Sequence, residues 1–265
     1  MEVREFFVQK PLPILGKTAK LTLTVLLREE EPQTKPSPAV RISVVIPAHN
    51  EERYLGRTLA SLQRQNYGWF ETIVVANGCT DQTVEVARER CDRLVELSEK
   101  SLGIARNLGA RLAKGELLVF LDADTALDAV ALRRIAEVFN RNHAAGTLCG
   151  RPNRPQAKYR LIYAAKNFLH RWSLHPGSSG VIICWKDQFE LIGGFDEELA
   201  VRENSELIHR LKRFGKYRFI GDVSATNSMR RYEQRGFRKV LWLWLKLWLE
   251  SIFGDLRRQT YEPVR

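Results

Sequence analysis

The stretch Leu117-Leu118-Val119-Phe120-Leu121-Asp122-Ala123-Asp124 places five apolar residues directly before two carboxylates. An uninterrupted apolar run of this kind predicts a strand that is covered on both faces, as in a parallel α/β sheet. Ligands of such sheets collect at the carboxyl ends of the strands. We therefore expect Asp122 and Asp124 to emerge together where a buried strand meets solvent.

Two functions are open to this acidic pair on the residues alone. Mg²⁺ or Mn²⁺ bound by one or two carboxylates keeps open positions for phosphate oxygens, which suits a nucleotide diphosphate. Alternatively, Asp124-Thr125 caps the helix that the sequence predicts over Asp128 to Arg141, a common role for a carboxylate at the end of a strand.

Strands and helices alternate regularly before the acidic pair. The sequence predicts, in order, strand Ile42–Ile46, helix Glu52–Gln65, strand Thr72–Ala76, helix Thr83–Arg90, strand Leu94–Leu97, helix Leu102–Ala113 and strand Leu117–Leu121. This alternation implies right-handed crossovers and an α/β fold with a Rossmann-like, mainly parallel central sheet flanked by helices. The pattern loosens after Arg141, where helices Ala157–Trp172, Lys186–Leu191 and Ser205–Phe214 and strands Val181–Cys184 and Tyr217–Ile220 are predicted.

Composition divides the chain into three segments. Residues 1–40 are predicted to form an extension that ends in a linker, because Glu29 to Pro38 is rich in charge and proline. Residues 41–221 carry the regular α/β pattern, and residues 222–265 are basic and rich in tryptophan. The charged start, Met1 to Lys10, does not resemble a secretory signal, and the four cysteines lack metal-type spacing. Both features favour a cytoplasmic protein.

A formal net charge of +11 predicts attraction to polyanions, namely nucleic acid, anionic lipid headgroups or phosphorylated substrates. Nucleic acid is the least favoured of these partners. No nucleic-acid-binding motif accompanies the charge, and the aromatic residues near the C-terminus cluster with leucines rather than alternating with arginines.

The C-terminal segment combines cations with tryptophans. Five basic residues between Arg230 and Lys239 lead into Val240 to Leu249, where three tryptophans alternate with leucines. Lys246 and Glu250 interrupt the apolar run too early for a membrane-spanning helix. An amphipathic helix that lies on the membrane surface would explain the composition and would make the protein peripheral on the cytoplasmic face. A helix docked on the domain or on a dimer partner is the alternative.

Five motifs occur in the order seen in family 2 glycosyltransferases, which the chain resembles over about Arg41 to Gly221. These motifs are Val44-Val45-Ile46-Pro47-Ala48-His49-Asn50-Glu51, Asn77-Gly78-Cys79-Thr80-Asp81, Ala105-Arg106-Asn107-Leu108-Gly109, Asp122-Ala123-Asp124 and Gly193-Gly194-Phe195-Asp196-Glu197. The resemblance implies the GT-A fold, a nucleotide-sugar donor and a divalent metal, Mn²⁺ or Mg²⁺.

The resemblance also implies roles for residues on the nucleoside side. Pro47, His49 and Glu51 follow the first strand, where the family places the nucleobase and ribose, and Glu51 is the expected hydrogen-bond partner there. Asn77 matches a position that contacts the base and is often Asp in the family. Arg106 matches a basic side chain that approaches the donor.

On the diphosphate side, the resemblance implies that Asp122-Ala123-Asp124 is the metal motif. Asp124 would bind the cation that bridges the two phosphates, and Asp122 would contact the ribose and the surroundings of the metal. Arg231 corresponds to a basic or aromatic loop that closes over the diphosphate, so we expect it to hold the leaving group. A charge that faces the membrane is the alternative for Arg231.

The catalytic base is the point at which the chain departs from the family. Asn204 stands where the family places a catalytic Asp, and an amide cannot accept a proton at neutral pH. Three nearby carboxylates could take over, namely Glu203, Glu206 and Asp196. We favour Glu203 because it is adjacent and could reach the same cleft, although a charge that favours a helix N-terminus is the alternative.

Two functions follow from these features. The first is a metal-dependent, inverting glycosyltransferase that moves a sugar, most simply a hexose, from a nucleotide diphosphate to a hydroxyl acceptor. The tryptophan-rich segment suggests that this acceptor is lipid-linked, a polyprenyl phosphate or a glycolipid. The second, indicated by Asn204, is a non-catalytic subunit or scaffold that binds nucleotide sugars.

Overall fold

The computed structural model describes residues 3–5, 24–27, 40–174, 177–199, 202–240 and 242. The strands are β1 Val3–Glu5, β2 Thr24–Leu27, β3 Ile42–Ala48, β4 Phe70–Asn77, β5 Arg93–Leu97, β6 Leu117–Leu121, β7 Thr125–Leu127, β8 His143–Pro152, β9 Val181–Trp185 and β10 Lys216–Asn227. The helices are α1 Leu55–Gln63, α2 Thr83–Arg88, α3 Leu102–Leu112, α4 Ala131–Val138, α5 Ala157–Arg171, α6 Lys186–Leu191, α7 Glu203–Leu211 and α8 Arg230–Arg235. A 3₁₀ turn, Lys212–Phe214, follows α7.

Within the described residues the strands form one ten-stranded sheet in the order β1-β2-β5-β4-β3-β6-β9-β8-β10-β7. The central strands β5, β4, β3 and β6 are parallel, as the alternating sequence predicts. Strand β9 joins β6 in the antiparallel direction, and β10 runs parallel to β8. The predicted α/β class is confirmed, and the sheet as a whole is mixed around a parallel core.

The core lies on both faces of the sheet because successive strand residues point to opposite sides. Val44 packs on one face, in a cluster to which α1 and α4 contribute leucines and isoleucines. Val45 packs on the other face with buried residues of α3 and α7. All five residues of β6 are buried, as the apolar run predicts.

The second half of the sheet is where the sequence is least informative. The prediction places no strand over β8, and it ends the last strand at Ile220, whereas β10 continues to Asn227. Strand β8 has no long apolar run, and a side chain at Gly146 would approach the Arg218 carbonyl to 2.9 Å. Small residues here permit close backbone approach but give no hydrophobic signal.

The terminal segments are described only in part. Strand β1 pairs with β2, and β2 pairs with β5, both antiparallel, so these residues extend the sheet. The predicted linker lies outside the described residues, and so does the predicted C-terminal amphipathic helix beyond Trp242. No helix among the described residues is both long enough and apolar enough to cross a membrane.

Gly109 sets the distance between α3 and the sheet, and a methyl group there would overlap Val45 and press on Val75 at 3.3 Å. We expect Gly109→Ala to lower the free energy of unfolding by about 1–2 kcal/mol, because overpacking outweighs the gain in helix propensity. Gly68→Ala is the matched control, because nothing lies within 4 Å of the added methyl. Urea denaturation measures both variants, and equal stabilities would refute this packing.

Candidate active site

The acidic pair leaves the sheet at the carboxyl end of β6 on a tightly fixed backbone. The Asp122 amide donates to the Gly180 carbonyl at 2.9 Å, and the Thr125 amide donates to the Asp122 carbonyl at 3.0 Å. Gly180 has a φ of +78°, and a side chain there would approach the Thr125 hydroxyl to 2.6 Å. Asp124 therefore has a defined position between β6 and β7.

The alternative in which Asp124-Thr125 caps the following helix is wrong. Thr125 begins β7, and α4 starts only at Ala131, after Val130 in the capping position without a side-chain cap. The carboxylate that organises this turn is Asp128, which accepts hydrogen bonds from the Ser224 amide at 2.7 Å and from its hydroxyl at 2.8 Å. The side chain of Asp124 therefore does not serve as the cap of α4.

Arg106 joins the first carboxylate to the start of α7. Its guanidinium donates to Asp122 at 3.1 Å, to Glu203 at 3.0 Å and to the side-chain oxygen of Asn204 at 3.0 Å. The side chain is 3 % exposed and lies over the Phe195 ring, 4.9 Å from its centroid. A planar guanidinium with several donors can hold this arrangement rigidly. Arg106 therefore connects the predicted metal motif with the predicted base.

Arg230 holds the second carboxylate. Its Nη1 donates to Glu51 at 2.6 Å, and its Nη2 also bonds the Glu51 carboxylate, so this pair is bidentate. Its Nε lies 3.3 Å from Asp124 Oδ2, and the guanidinium stacks 4.5 Å from the centroid of the Tyr54 ring. Glu51 and Asp124 thus share one cation, which is supplied by the first residue of α8.

The negative charge of the site favours the binding of an additional cation. Burial is the main reason that the pKa of Asp124 is raised from 3.8 to about 6; Arg230 opposes this shift, and the carboxylates of Asp122 and Glu51 reinforce it. Burial also raises the pKa of Glu51, against the hydrogen bond from Arg230. The carboxylates are therefore incompletely neutralised by the guanidinium groups.

Hard oxygen ligands of this kind suit Mg²⁺ or Mn²⁺, which need only one or two protein carboxylates when phosphate supplies the rest. Across the described residues, no cluster of three or more His, Cys, Asp or Glu side chains has a metal-binding arrangement. The donor set thus fits a cation that is held jointly by the acidic motif and a ligand, rather than a cage built by protein alone.

The residues predicted for the nucleoside side are neighbours. His49 Nδ1 lies 2.7 Å from the Asn77 carbonyl oxygen, and the Asn77 side-chain amide donates to the Ala48 carbonyl at 2.8 Å. Asn77 is 2 % exposed, and Pro47 is buried beside Val75 in the paired strands. The side-chain amide of Asn77 therefore ties β3 to β4, in addition to whatever contact it makes with a ligand.

The three candidate bases lie in different surroundings. Glu203 is the first residue of α7 and shares the guanidinium of Arg106 with Asp122. Glu206 forms a two-point ion pair with Arg210 one turn along the same helix, at 2.6 Å for one contact. The Asp196 carboxylate accepts from the Glu198 amide at 3.0 Å. The geometry thus links Glu203, of the three, directly to the acidic motif.

Asn204 is built into the same network. Its oxygen accepts from Arg106, and its nitrogen donates to the Ser178 hydroxyl at 2.9 Å. Arg202, just before this pair, has a left-handed φ of +60°, an unusual conformation for a residue with a side chain. Strained backbone of this kind is frequent at functional sites.

Two contacts of the site were missed by reasoning from sequence. Arg231 was expected to reach the diphosphate region, and its charge does lower the pKa of Asp124, but Arg230 makes the close contacts. Tyr54, which stacks on Arg230, carried no signal beyond its place in the predicted helix Glu52–Gln65. Neighbouring arginines at the start of a helix point in different directions, which the spacing alone could not resolve.

Comparison with known proteins identifies the family of the chain. Residues 43–234 match the family described as Glycosyl transferase family 2. The chain belongs to this family. Validoxylamine A glucosyltransferase from Streptomyces hygroscopicus subsp. limoneus is 45 % identical over 89 residues, which are 31 % of the chain and 20 % of that protein. Poly(ribitol-phosphate) beta-N-acetylglucosaminyltransferase TarS from Staphylococcus aureus is 28 % identical over 113 residues, which are 40 % of the chain and 20 % of that protein.

Solved structures confirm the expected GT-A fold. TarS residues 1–349 from Staphylococcus aureus, in complex with UDP-GlcNAc, align with a TM-score of 0.58 at 19 % identity, over 84 % of this chain and 62 % of that one. The mannosyltransferase PcManGT from Pyrobaculum calidifontis, in complex with GDP-Man and Mn²⁺, aligns with a TM-score of 0.57 at 20 % identity, over 72 % and 57 %. The chain spans only a fifth of the length of the two curated relatives.

Arg106 should contribute strongly to stability, because its removal takes a buried cation away from the half-buried carboxylate of Glu203 and the partly exposed one of Asp122. We expect Arg106→Met to lower the free energy of unfolding by about 2–3 kcal/mol, somewhat below the usual cost of breaking a buried pair because Asp122 is partly exposed. Arg133→Met is the matched control, since its pair with Glu137 is exposed to solvent and should contribute little to stability. Similar losses in both variants by urea denaturation would argue against this network.

Proposed function

We propose that the protein is a metal-dependent, inverting glycosyltransferase that moves a hexosyl group from a nucleoside diphosphate to an acceptor hydroxyl. The observation that carries the proposal is the convergence of Asp122 and Asp124 with Arg106 and Arg230 at the carboxyl end of β6, in a chain that matches a glycosyl transferase family. Similar folds hold UDP-GlcNAc in TarS and GDP-Man in PcManGT, which supports a nucleotide-sugar donor.

The donor diphosphate is proposed to bind against the acidic pair. Asp124, assisted by Asp122, would hold Mn²⁺ or Mg²⁺ together with phosphate oxygens, as the donor set of the site allows. The bound cation would neutralise part of the negative charge that develops on the departing diphosphate. PcManGT was solved with Mn²⁺, which supports this assignment. Arg230, already 3.3 Å from Asp124, and Arg231 would hold the diphosphate from the other side.

The nucleoside is proposed to lie across the carboxyl ends of β3 and β4. Pro47, His49 and Asn77 would border the base, and Glu51 the ribose. Ala123, between the two acids, is 5 % exposed, and its carbonyl accepts from the Thr58 hydroxyl at 2.8 Å, so its contribution to the site would be to fix the backbone between Asp122 and Asp124.

Glu203 is proposed as the base. Its carboxylate would take the proton from the acceptor hydroxyl while the acceptor oxygen forms its bond to the anomeric carbon and the bond to the diphosphate breaks on the opposite face, which inverts the configuration. Arg106, which donates to Glu203 at 3.0 Å, would orient its carboxylate. Asn204, held between Arg106 and Ser178, would position the acceptor by hydrogen bonds rather than remove its proton.

We further propose that the acceptor is lipid-linked, a polyprenyl phosphate or a glycolipid, and that the protein is peripheral on the cytoplasmic face of the membrane. Residues 41–221 would form most of the catalytic domain, which the end of β10 and α8 complete because Arg230 lies at the site. Of residues 222–265, those after Val240 would provide membrane contact. The net charge of +11 and the tryptophans after Val240 support this assignment. Nucleic acid is not a proposed partner.

A second function, that of a non-catalytic subunit or scaffold that binds nucleotide sugars, is favoured by one observation. Asn204 occupies the position at which the resemblance places an Asp, and its amide accepts from Arg106 and donates to Ser178. In that case the nucleotide-sugar site would be retained while the proton transfer would be lost.

A turnover assay tests the proposal. UDP-, GDP- and dTDP-sugars are incubated with the protein and Mn²⁺, and nucleotide release to water is measured. We expect release with one donor class, and a loss of about 100-fold or more in kcat for Glu203→Gln with little change in KM, the usual contribution of a positioned base. Glu206→Gln is the matched control and should stay within about twofold, since Glu206 pairs with Arg210.

The same assay separates the two functions. Donor binding without turnover in the native chain, with turnover appearing in Asn204→Asp, would establish the scaffold and contradict the enzyme. Turnover that is indifferent to Glu203→Gln would contradict the proposed base.

A further inference from the structure

Helix α5 exposes a continuous apolar stripe. Leu161, Ala165, Phe168 and Trp172 follow one another at spacings of four, three and four residues, which places them on one side of a helix. The exposed fractions are 72 % for Leu161, 57 % for Phe168 and 64 % for Trp172, and the rings of Phe168 and Trp172 lie 6.4 Å apart. Large apolar side chains gathered in this way on a protein surface mark an interaction site.

The opposite side of α5 is packed on the domain. Tyr159, Tyr163 and His170 are buried, and Asn167 bonds the Gly150 backbone at 2.9 Å in both directions. The inner face thus has its core contacts, and the outer stripe is a second apolar surface rather than a displaced core face. The inner side of α5 also meets α8, the helix that carries Arg230, because the ring centroids of Tyr159 and Tyr232 lie 5.9 Å apart.

The charge of α5 restricts what can cover the stripe. The helix carries four basic residues, Lys158, Arg160, Lys166 and Arg171, and no acidic residue. Lys158, Arg160 and Arg171 are exposed. Their long side chains can lie along apolar surface while the charges reach outward to an anionic layer. A partner surface that fits this face of α5 is therefore apolar at its centre and negatively charged at its margin.

Three possible partners of the apolar stripe on α5 can be compared by their charge. A second copy of the chain carries +11 and would be repelled. The chain's own residues 241–265 contain four basic and three acidic residues, which gives a net charge of about +1 and no negative complement. An anionic lipid bilayer offers both an apolar interior and a negative headgroup layer. Tryptophan is favoured at the boundary between the two.

We propose that α5 docks the protein on anionic membranes, with Leu161, Phe168 and Trp172 inserted among the lipids and Lys158, Arg160 and Arg171 at the headgroups. The helix then lies flat on the bilayer with its inner side toward the active site. This surface is formed by residues of α5 and its C-cap, and its use requires neither a metal nor turnover. It would present a lipid-linked acceptor beside the acidic pair if the proposed function holds.

Vesicle co-sedimentation tests the proposal. The full chain is mixed with vesicles of phosphatidylcholine alone or with added phosphatidylglycerol, at low and high salt. We expect binding to rise with phosphatidylglycerol and to fall with salt. The double variant Phe168→Ser/Trp172→Ser should bind about tenfold or more weakly, because two large apolar side chains no longer enter the bilayer. The control Leu191→Ser, on α6 and 70 % exposed in the native chain, should stay within about twofold.

Three results would overturn the proposal. Unchanged vesicle binding by the double variant would show that α5 does not insert. Light scattering that shows a native dimer, converted to monomer by the double variant, would assign the stripe to a second copy. A large fall in the thermal midpoint of the double variant would assign the stripe to the chain's own C-terminal residues. Nucleotide release without vesicles should be unchanged in the double variant, so a failure here is distinguishable from a failure of the proposed function.

Discussion

Complete burial of β6 is the constraint on which the site depends. The strand is paired on both edges, with β3 and β9, and apolar side chains cover both faces. Polar residues can follow it only where the chain reaches the rim of the sheet, and there the carbonyl of Gly180 fixes the backbone of Asp122. The carboxylates of Asp122 and Asp124 are thus gathered by the packing of the sheet, before any ligand binds.

Gathering carboxylates in a partly buried rim is costly unless cations accompany them. The protein supplies two: Arg106 from α3, which packs on β3 and β4, and Arg230 from α8, which follows the last strand. Arg106 also reaches Glu203, so the proposed donor side and the proposed acceptor side share one side chain. The raised pKa of Asp124, about 6, shows that this compensation is incomplete. Such a site is suited to a ligand whose phosphate groups bind together with a metal ion.

The sequence predicted the elements whose burial leaves a pattern of apolar residues. It did not predict contacts that depend on the direction in which a side chain points. The apolar run predicted β6 with its observed bounds, and the ordered motifs led to the family and fold. Strand β8 was missed because close backbone packing at Gly146 leaves no hydrophobic signature. The contact of Arg230 with Asp124 could not be foreseen, because adjacent residues of a helix point about 100° apart and only the assembled site decides which one lies against Asp124.

A divalent cation held jointly by Asp124 and a bound diphosphate would be the core of the proposed site. Electron paramagnetic resonance of Mn²⁺, titrated separately in the presence of UDP, GDP and dTDP, measures this binding. We expect one nucleotide to tighten Mn²⁺ binding and Asp124→Asn to weaken it by about tenfold or more, whereas Asp222→Asn, at an exposed aspartate paired with Arg134, should leave it unchanged. Equal Mn²⁺ binding in the native chain and in Asp124→Asn, or Mn²⁺ binding that none of the three nucleotides changes, would refute this assignment.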